Sequence, residues 1–186
     1  MYCNKSLKRY LSDLSKKLPT PGGGSASALV GGLGVSLLGM AVNFTVGKPQ
    51  YQKYEKELRE ILKDIENLRD KFLKLVDEDV MAYKSKDIQW CLKVPLEVSR
   101  ICFSSIKLCP LLIKKTNPNL ISDIACALVF LEAGFFGGYF NVEANLKFIK
   151  DKKMTDKIRK EILTKAKIIK EIRQKTEDEI GKIIRR

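Results

Sequence analysis

Apolar residues recur at helical spacing along most of the chain. Residues 51–85 show the clearest repeat, with apolar side chains alternately three and four positions apart at Leu58, Ile61, Ile65, Leu68, Phe72 and Leu75. Similar spacing predicts a short helix over residues 6–17, capped by Ser6, and longer helices over residues 122–147 and from residue 155 onward. Because no stretch alternates as a strand would, the sequence predicts one all-α domain over residues 1–186, built from long antiparallel helices.

Prolines and glycines set the predicted helix boundaries. Residues 18–24 end the first helix, and residues 47–49 precede the long repeat. Residues 90–95 are predicted to form a break, with Pro95 opening a helix that runs toward Lys115 and is kinked at Pro110. Residues 116–119 predict a polar turn.

The repeat in residues 51–85 reaches a carboxylate, Asp79, at a position where it calls for an apolar side chain. A buried charge without a partner is costly, so Asp79 is predicted either to be paired or to have a chemical role. Its neighbours Asp77 and Glu78 lie off the repeat, and both are predicted to be exposed to solvent.

Residues 25–46 contain no charged side chain, and this segment is long enough to cross a bilayer. Its serines, Asn43 and Thr45 dilute the apolar character and favour a helix that is buried on all sides in a protein core. A membrane-associated protein is the second interpretation of this segment.

Two of the predicted helices carry faces made mainly of small and polar residues. The first face consists of Ser25, Ala28, Gly32, Ser36, Gly39 and Asn43, and the second of Asp123, Ala127, Leu131, Gly134, Gly138, Asn141 and Asn145. Such faces allow close approach of a neighbouring helix or of a ligand. Because two helices expose more of this surface than they can cover on each other, the pattern predicts a homodimer.

Charge and composition restrict the chemistry further. The chain has 35 Lys plus Arg against 22 Asp plus Glu, a net charge of +13, and no histidine. Without histidine, Ser-His-Asp systems and HExxH metal sites are excluded, and acid–base chemistry must come from Asp, Glu, Lys, Tyr or Cys. Five scattered cysteines without a CxxC pair predict no metal site and fit a reducing cytoplasm.

The positive charge also raises the remoter alternative of a basic helical nucleic-acid-binding protein. Against it, the chain has no known binding motif, and its aromatic residues lie within apolar runs instead of among the basic residues. The sequence therefore predicts neither a nucleic-acid partner nor a membrane partner.

Residues 19–26, with the uncharged helix that ends in residues 41–48, resemble the methenyltetrahydrofolate cyclohydrolase and cyclodeaminase family, which includes the C-terminal domain of formiminotransferase-cyclodeaminase. The resemblance continues through residues 77–83, 94–96, 117–123 and 141–146, so that it covers nearly the whole chain. It implies an all-helical homodimer that binds a tetrahydrofolate derivative near the subunit interface and has no tightly bound cofactor.

The chemistry of this family fits a site built from carboxylates and amides. In the cyclohydrolase reaction, water adds to the cationic carbon of 5,10-methenyltetrahydrofolate and a folate nitrogen leaves, which requires only positioned acid–base groups. Asp123 is predicted to be the principal acid or base, and Asp79 the second carboxylate or an anchor for the pterin amino groups. The predicted substrate-binding residues are Pro21, Gly22, Gly23, Gly24, Ser25, Asn43, Lys48, Asn117, Ser122, Asn141 and Asn145.

Two of these groups have specific predicted partners. Residues 22–25 precede a helix, where backbone N–H groups suit an anionic or carbonyl group, and Lys48 suits the glutamate tail of folate. Because no formiminotransferase domain precedes this segment, we expect the cyclohydrolase activity, with 5-formiminotetrahydrofolate cyclodeaminase as the alternative.

Overall fold

The computed structural model describes residues 1–185, and every regular element in that range is helical. Seven α-helices follow one another as α1 (Leu7–Leu14), α2 (Gly23–Asn43), α3 (Glu55–Ser85), α4 (Ile88–Ile106), α5 (Cys109–Lys115), α6 (Ile121–Leu146) and α7 (Lys152–Ile184). Short 3-10 turns occupy Tyr2–Asn4, Pro49–Tyr54 and Pro118–Leu120. The prediction of an all-α domain is confirmed, and the helices share one hydrophobic core.

Helix α2 lies between α3 and α6 and packs closely on both. A Cβ atom on Gly31 would overlap the ring of Phe72 in α3, and one on Gly34 would lie 2.7 Å from the Leu131 side chain in α6. Helix α6 is approached just as closely from its other side, because a Cβ on Gly134 would lie 2.9 Å from Cys102 Sγ in α4. The second small-residue face is therefore packed against helices of the same chain, whereas Ser36 and Asn43 of the first face remain exposed.

The contacts between α2 and α6 fix which of their ends meet. Gly23 at the start of α2 lies beside Asn141, Gly34 lies beside Leu131, and Thr45 just after α2 bonds to Asn117 just before α6. Residue numbers along α6 thus decrease where residue numbers along α2 increase. The start of α2 meets the end of α6, and the end of α2 meets the start of α6.

On length and composition alone, two helical segments within residues 1–185 could cross a membrane. They are Gly23–Asn43, with a mean hydropathy of 1.7, and Pro118–Leu146, with a mean hydropathy of 1.8. The apolar window of the first segment is 61% buried inside the chain, as expected for a core helix. Burial on all sides was nevertheless the wrong expectation for this segment, because Leu33 and Phe44 are 48% and 55% exposed.

Helix α7 closes the bundle with an apolar face and a basic face. Its buried isoleucines are Ile158, Ile162, Ile169 and Ile180. Ion pairs at the edge of this contact join α7 to α4 through Arg100 and Glu161 (2.7 Å) and to α6 through Glu143 and Arg159 (3.1 Å). Because these pairs are partly exposed, each is expected to add less to stability than the isoleucines do.

The structure corrects the prediction for residues 90–95. These residues belong to α4, which begins at Ile88 because the Asp87 carboxylate accepts hydrogen bonds from the backbone N–H groups of Gln89 (2.9 Å) and Trp90 (3.3 Å). Pro95 lies inside α4 instead of opening it. Pro110 does not kink a continuous helix but lies in the first turn of the separate helix α5.

Helix α4 tolerates Pro95 because α6 supplies the hydrogen bond that proline cannot. Proline has no N–H group, so the carbonyl of Cys91, four residues earlier, lacks its helical donor. The side-chain amide of Asn145 donates to this carbonyl at 2.7 Å. A polar contact between two helices thus replaces the missing bond within one helix.

We expect Asn145→Ala to lower the free energy of unfolding by about 1–3 kcal/mol, because it leaves a part-buried carbonyl without a donor. In a Pro95→Ala background the restored backbone N–H can bond to Cys91, so the same substitution should cost much less. Urea unfolding of the four proteins measures this coupling. The exposed Asn67→Ala serves as a control for loss of an amide, and equal costs of Asn145→Ala in both backgrounds would contradict the interpretation.

Candidate active site

The first turn of α2 lies directly against a carboxylate of α3. The backbone N–H of Ser25 donates to Asp79 Oδ2 at 2.9 Å. A Cβ atom on Gly24 would overlap Asp79 Oδ1, so only glycine permits this approach. The structure therefore brings together Asp79 and the loop of residues 22–25, which sequence analysis selected separately.

Burial determines the acid–base character of Asp79. Removal of water from around its carboxyl group raises the pKa of Asp79 above the ordinary aspartate value, and the Ser25 N–H lowers it only in part. The carboxyl group nevertheless remains half-buried and not sealed in the core. A partly accessible carboxylate with a raised pKa is suited to taking and returning a proton.

Helix α6 brings two asparagines to the same end of the bundle. A Cβ atom on Gly23 would lie 3.1 Å from Asn141 Nδ2, and this amide donates to the carbonyl of Gly137 at 2.8 Å. That bond leaves the side-chain carbonyl oxygen of Asn141 as an acceptor. Asn145, one turn further along, uses its amide N–H on Cys91. We call Gly22–Ser25, Asp79, Asn141 and Asn145 the α2-start cluster.

The other predicted site residues lie at the opposite end of α2. Asn43 ends this helix, and Lys48 follows shortly after it. The backbone N–H of Asn117 donates to Thr45 Oγ1 at 3.0 Å, which ties the turn before α6 to the chain after α2. We call Asn43, Lys48, Asn117, Ser122 and Asp123 the α2-end cluster.

Asp123 is half-buried in the first turn of α6 but does not cap the helix. The N-cap position is Leu120, and no side chain accepts a hydrogen bond from the first backbone N–H groups of α6. The Asp123 carboxylate therefore accepts no capping hydrogen bond, although in the first turn its negative charge interacts favourably with the helix dipole. Pro118–Leu120 forms its own turn, in which the Asn117 side chain accepts a hydrogen bond from Asn119 N (3.1 Å).

The two predicted catalytic carboxylates are far apart within one chain. Asp123 precedes Asn141 by 18 residues on α6, which corresponds to about 27 Å at 1.5 Å per residue. Asn141 lies beside Gly23, and Asp79 lies beside Gly24. Asp79 and Asp123 of the same chain therefore cannot act on one carbon atom.

The prediction that Asp77 is exposed to solvent is wrong. Asp77 is 4% exposed, and its carboxylate accepts hydrogen bonds from the backbone N–H groups of Tyr2 and Cys3. The turn at Tyr2–Asn4 covers this side of α3, and so short a segment has no periodicity from which packing can be predicted. Glu78 is partly exposed and pairs with Lys74 at 3.4 Å.

Helix α1 is connected to the α2-start cluster by a contact that the sequence does not predict. The hydroxyl oxygen of Tyr10 lies 3.1 Å from Ser25 Oγ, and both residues are buried. In the sequence, Tyr10 is only one of the apolar residues of a short helix. Its hydrogen-bond partner is distant enough in the chain that no local pattern indicates it.

The described residues offer no obvious metal centre. Within residues 1–185, histidine, cysteine, aspartate and glutamate side chains form no group of three or more that could hold a metal ion.

Comparison with known proteins assigns this arrangement to a family. The formiminotransferase-cyclodeaminase family model matches residues 6–88 and 85–164. The chain belongs to this family. The resemblance predicted from the sequence is thereby confirmed, and the matched region includes both clusters.

Individual relatives carry two different activity names. Methenyltetrahydrofolate cyclohydrolase of Methylorubrum extorquens is 31% identical over 182 residues, which cover 86% of this chain and 88% of that protein. Formimidoyltransferase-cyclodeaminase of Rattus norvegicus is 27% identical over an alignment that covers 84% of this chain but only 33% of the rat protein. The chain described here therefore spans about a third of the length of that relative.

A solved structure extends the similarity to three dimensions. The crystal structure of formiminotetrahydrofolate cyclodeaminase from Thermotoga maritima matches with a TM-score of 0.82 and 27% identity. The match covers 97% of this chain and 96% of that one. The helical arrangement described above is therefore similar to that of a known family member along nearly its full length.

We expect Gly24→Ala to displace Asp79 or the first turn of α2, because the new methyl group would occupy the position of the carboxylate. The free energy of unfolding should fall by about 1–3 kcal/mol, as for other overpacked sites. Gly22→Ala is the matched control, since a Cβ there meets nothing within 4 Å and its backbone is extended. Equal urea midpoints for both variants would mean that the close approach of Asp79 is absent.

Proposed function

We propose that this protein hydrolyses 5,10-methenyltetrahydrofolate to 10-formyltetrahydrofolate, with 5-formiminotetrahydrofolate cyclodeamination as the alternative activity. The observation that carries the proposal is the half-buried Asp79 carboxylate, held by the Ser25 N–H at an otherwise uncharged helix start. The identity with a named cyclohydrolase along most of both chains favours the first activity. The Thermotoga maritima structure keeps the second activity open.

The cyclohydrolase reaction needs little more than such a carboxylate. The methenyl carbon of the substrate lies between two nitrogens that share a positive charge, so it is already electrophilic. Asp79 in its ionised form accepts a proton as water adds to this carbon and its negative charge favours the cationic substrate. The protonated carboxyl group then returns this proton to the nitrogen that leaves. As the C–N bond breaks, the hydroxyl group of the adduct gives up its remaining proton to a second base or to solvent and becomes the carbonyl of the formyl group, which stays on the other nitrogen.

The remaining groups of the α2-start cluster serve in binding. The backbone N–H groups of residues 22–25, which follow Pro21, suit a carbonyl or anionic group of the substrate. Asn141 offers a side-chain oxygen as acceptor, as the pterin amino groups require. Asn145 holds α4 in place with its N–H and contributes its oxygen to the same end of the bundle.

We further propose a homodimer formed through the exposed apolar side of α2 and α6. Leu33 of α2, Phe44 directly after α2, and Val129 and Phe140 of α6 are between 44% and 66% exposed. Residues 25–46 carry no charge, so an interface here would desolvate few ionic groups. Apolar patches of this kind are typical of protein–protein contacts.

A two-fold axis would bring together the two clusters that one chain keeps apart. Copies of a helix related by a perpendicular two-fold axis run in opposite directions, so the start of α2 in one subunit lies beside the end of α2 in the other. Asp79 of one subunit would then share a site with Asp123, Asn117, Ser122 and Asn43 of the partner subunit. Asp123 of the partner subunit would there be the second acid or base, which takes the hydroxyl proton of the adduct. In this site Lys48 of the partner subunit would face the anionic glutamate tail of the folate.

We propose that the protein acts in the cytoplasm and uses no tightly bound cofactor, nucleic-acid partner or membrane partner. The reaction above consumes only water and the folate. The excess of positive charge favours approach of an anionic folate and does not require nucleic acid.

We expect the purified protein to hydrolyse 5,10-methenyltetrahydrofolate faster than it releases ammonia from 5-formiminotetrahydrofolate at saturating substrate. Both rates are measured on one preparation and corrected for the uncatalysed reactions. Asp79→Asn should lower the preferred rate by about 100- to 10,000-fold, because it removes the proton acceptor.

The exposed Asp64→Asn on the same helix should leave both rates unchanged and serves as the control. Much faster ammonia release would make the alternative activity the principal one. If neither reaction is faster than its uncatalysed background, the proposed function is rejected.

Mixing two inactive variants tests the shared site. If each site uses Asp79 from one subunit and Asp123 from the other, a mixed dimer of Asp79→Asn and Asp123→Asn has one intact site. Random exchange of subunits should then restore about a quarter of the wild-type activity, since half of the dimers are mixed and each has one of two sites intact. No recovery in subunits shown to exchange would contradict the shared site.

A further inference from the structure

The Ser25 side chain is held by two helices while its backbone contacts Asp79. Ser25 Oγ donates to the carbonyl of Val76 in α3 at 2.9 Å and lies 3.1 Å from the hydroxyl of Tyr10 in α1. Ser25 is fully buried, and Tyr10 is 4% exposed. These contacts fix the residue whose N–H bonds to Asp79.

The direction of the contact with Tyr10 follows from the number of protons. A serine hydroxyl has one proton, and that of Ser25 is directed to Val76 O. The Tyr10 hydroxyl must therefore donate to Ser25 Oγ. Burial raises the pKa of Tyr10, so this hydroxyl keeps its proton.

Helix α1, which contains Tyr10, is itself tied to the rest of the protein. The ring of Tyr2 contacts that of Tyr10 edge to face, with centroids 5.3 Å apart. The backbone N–H of Tyr2 bonds to Asp77 in α3, and the Tyr2 hydroxyl donates to Asp13 (3.3 Å). A continuous set of contacts thus runs from the N-terminal residues through Tyr10 and Ser25 to Asp79.

We propose that Tyr10 is a positioning residue of the active site, which holds Ser25 so that its backbone N–H bonds to the ionised carboxylate of Asp79. The inference rests on the proposed function in assigning Asp79 to catalysis. Tyr10 itself does not touch the reacting atoms, because Ser25 lies between it and the carboxylate. Its effect is on the proton affinity of Asp79 and, through it, on turnover.

The sign of this effect follows from the hydrogen bond. The Ser25 N–H favours the charged form of Asp79 and so lowers its pKa. A looser Ser25 weakens the bond and raises the pKa. Since the ionised carboxylate is the proton acceptor, activity is lost as pH falls through this pKa, and a higher pKa moves the loss to higher pH.

Other groups near Asp79 do not provide this control. Helix α2 has no charged side chain, and α6 presents the neutral Asn141. From α4 come Cys91, whose pKa is raised by burial and by the charge of Asp79, and the cap Asp87. Asp77 and Glu78 on α3 itself are engaged by the N-terminal backbone and by Lys74.

The test compares Tyr10→Phe with Tyr2→Phe. Both variants lose one hydroxyl and keep their ring contacts, but only Tyr10→Phe loses the donor to Ser25. The protonation midpoint of Asp79 is measured by NMR in the substrate-free protein with carboxyl-labelled aspartate, and the signal is assigned with Asp79→Asn. The pH profile of kcat is measured on the same samples.

We expect Tyr10→Phe to raise the Asp79 midpoint by about half a pH unit, a roughly threefold change in proton affinity, and to shift the acid limb of kcat equally, with little change in KM. Tyr2→Phe should move neither. An unchanged midpoint in Tyr10→Phe, or an equal shift in Tyr2→Phe, would overturn the proposal. If Tyr10→Phe does not fold, Ser25→Ala, which keeps the N–H but removes the acceptor of Tyr10, must give the same upward shift.

The NMR midpoint separates this inference from the proposed function. A shifted midpoint in a protein without cyclohydrolase or cyclodeaminase activity would reject only the function. An active enzyme with an unshifted midpoint would reject only the role of Tyr10.

Discussion

The close approach of α3 to the start of α2 is the contact on which the candidate site depends. Because Gly24 has no side chain, the Asp79 carboxylate reaches the Ser25 N–H. Further along α2, Gly31 and Gly34 receive Phe72 and Leu131 in the same way. Glycine costs about 1 kcal/mol per helix position relative to alanine, and burial of these two large side chains offsets that cost. The glycines of α2 therefore permit both the close packing of the core and the approach of Asp79 to the start of α2.

Helix α6 serves both the core and the site. Its glycines admit α2 and α4 on two sides, while its asparagines lie at the end that meets the start of α2. Asn145 links the two functions, because it supplies the donor that Pro95 removes from α4 and lies one turn from Asn141. An asparagine that suggests ligand binding in the sequence thus also stabilises the contact between α4 and α6.

The candidate site residues lie at the two ends of the α2–α6 pair. Within one chain these ends are separated by nearly the full length of a helix, so the α2-start and α2-end clusters form two partial sites. Large apolar side chains, among them Leu33, Val129 and Phe140, are exposed on the same two helices. In the two-fold assembly that we propose through this side, all the candidate residues would act together, and catalysis would depend on association.

The sequence by itself determined the helical class, most helix positions and the presence of a carboxylate, Asp79, within the apolar repeat of α3. Each of these leaves a local signal: apolar spacing, an N-cap, or a charge where the repeat requires an apolar residue. The exceptions were decided by tertiary structure. Pro95 lies inside a helix because Asn145, 50 residues later, replaces its missing hydrogen bond. Asp77 is buried because the first residues of the chain fold over it, and Tyr10 reaches the site because α1 packs beside Ser25. Each of these outcomes depends on a partner distant in the chain, whose position is fixed only when the helices have packed.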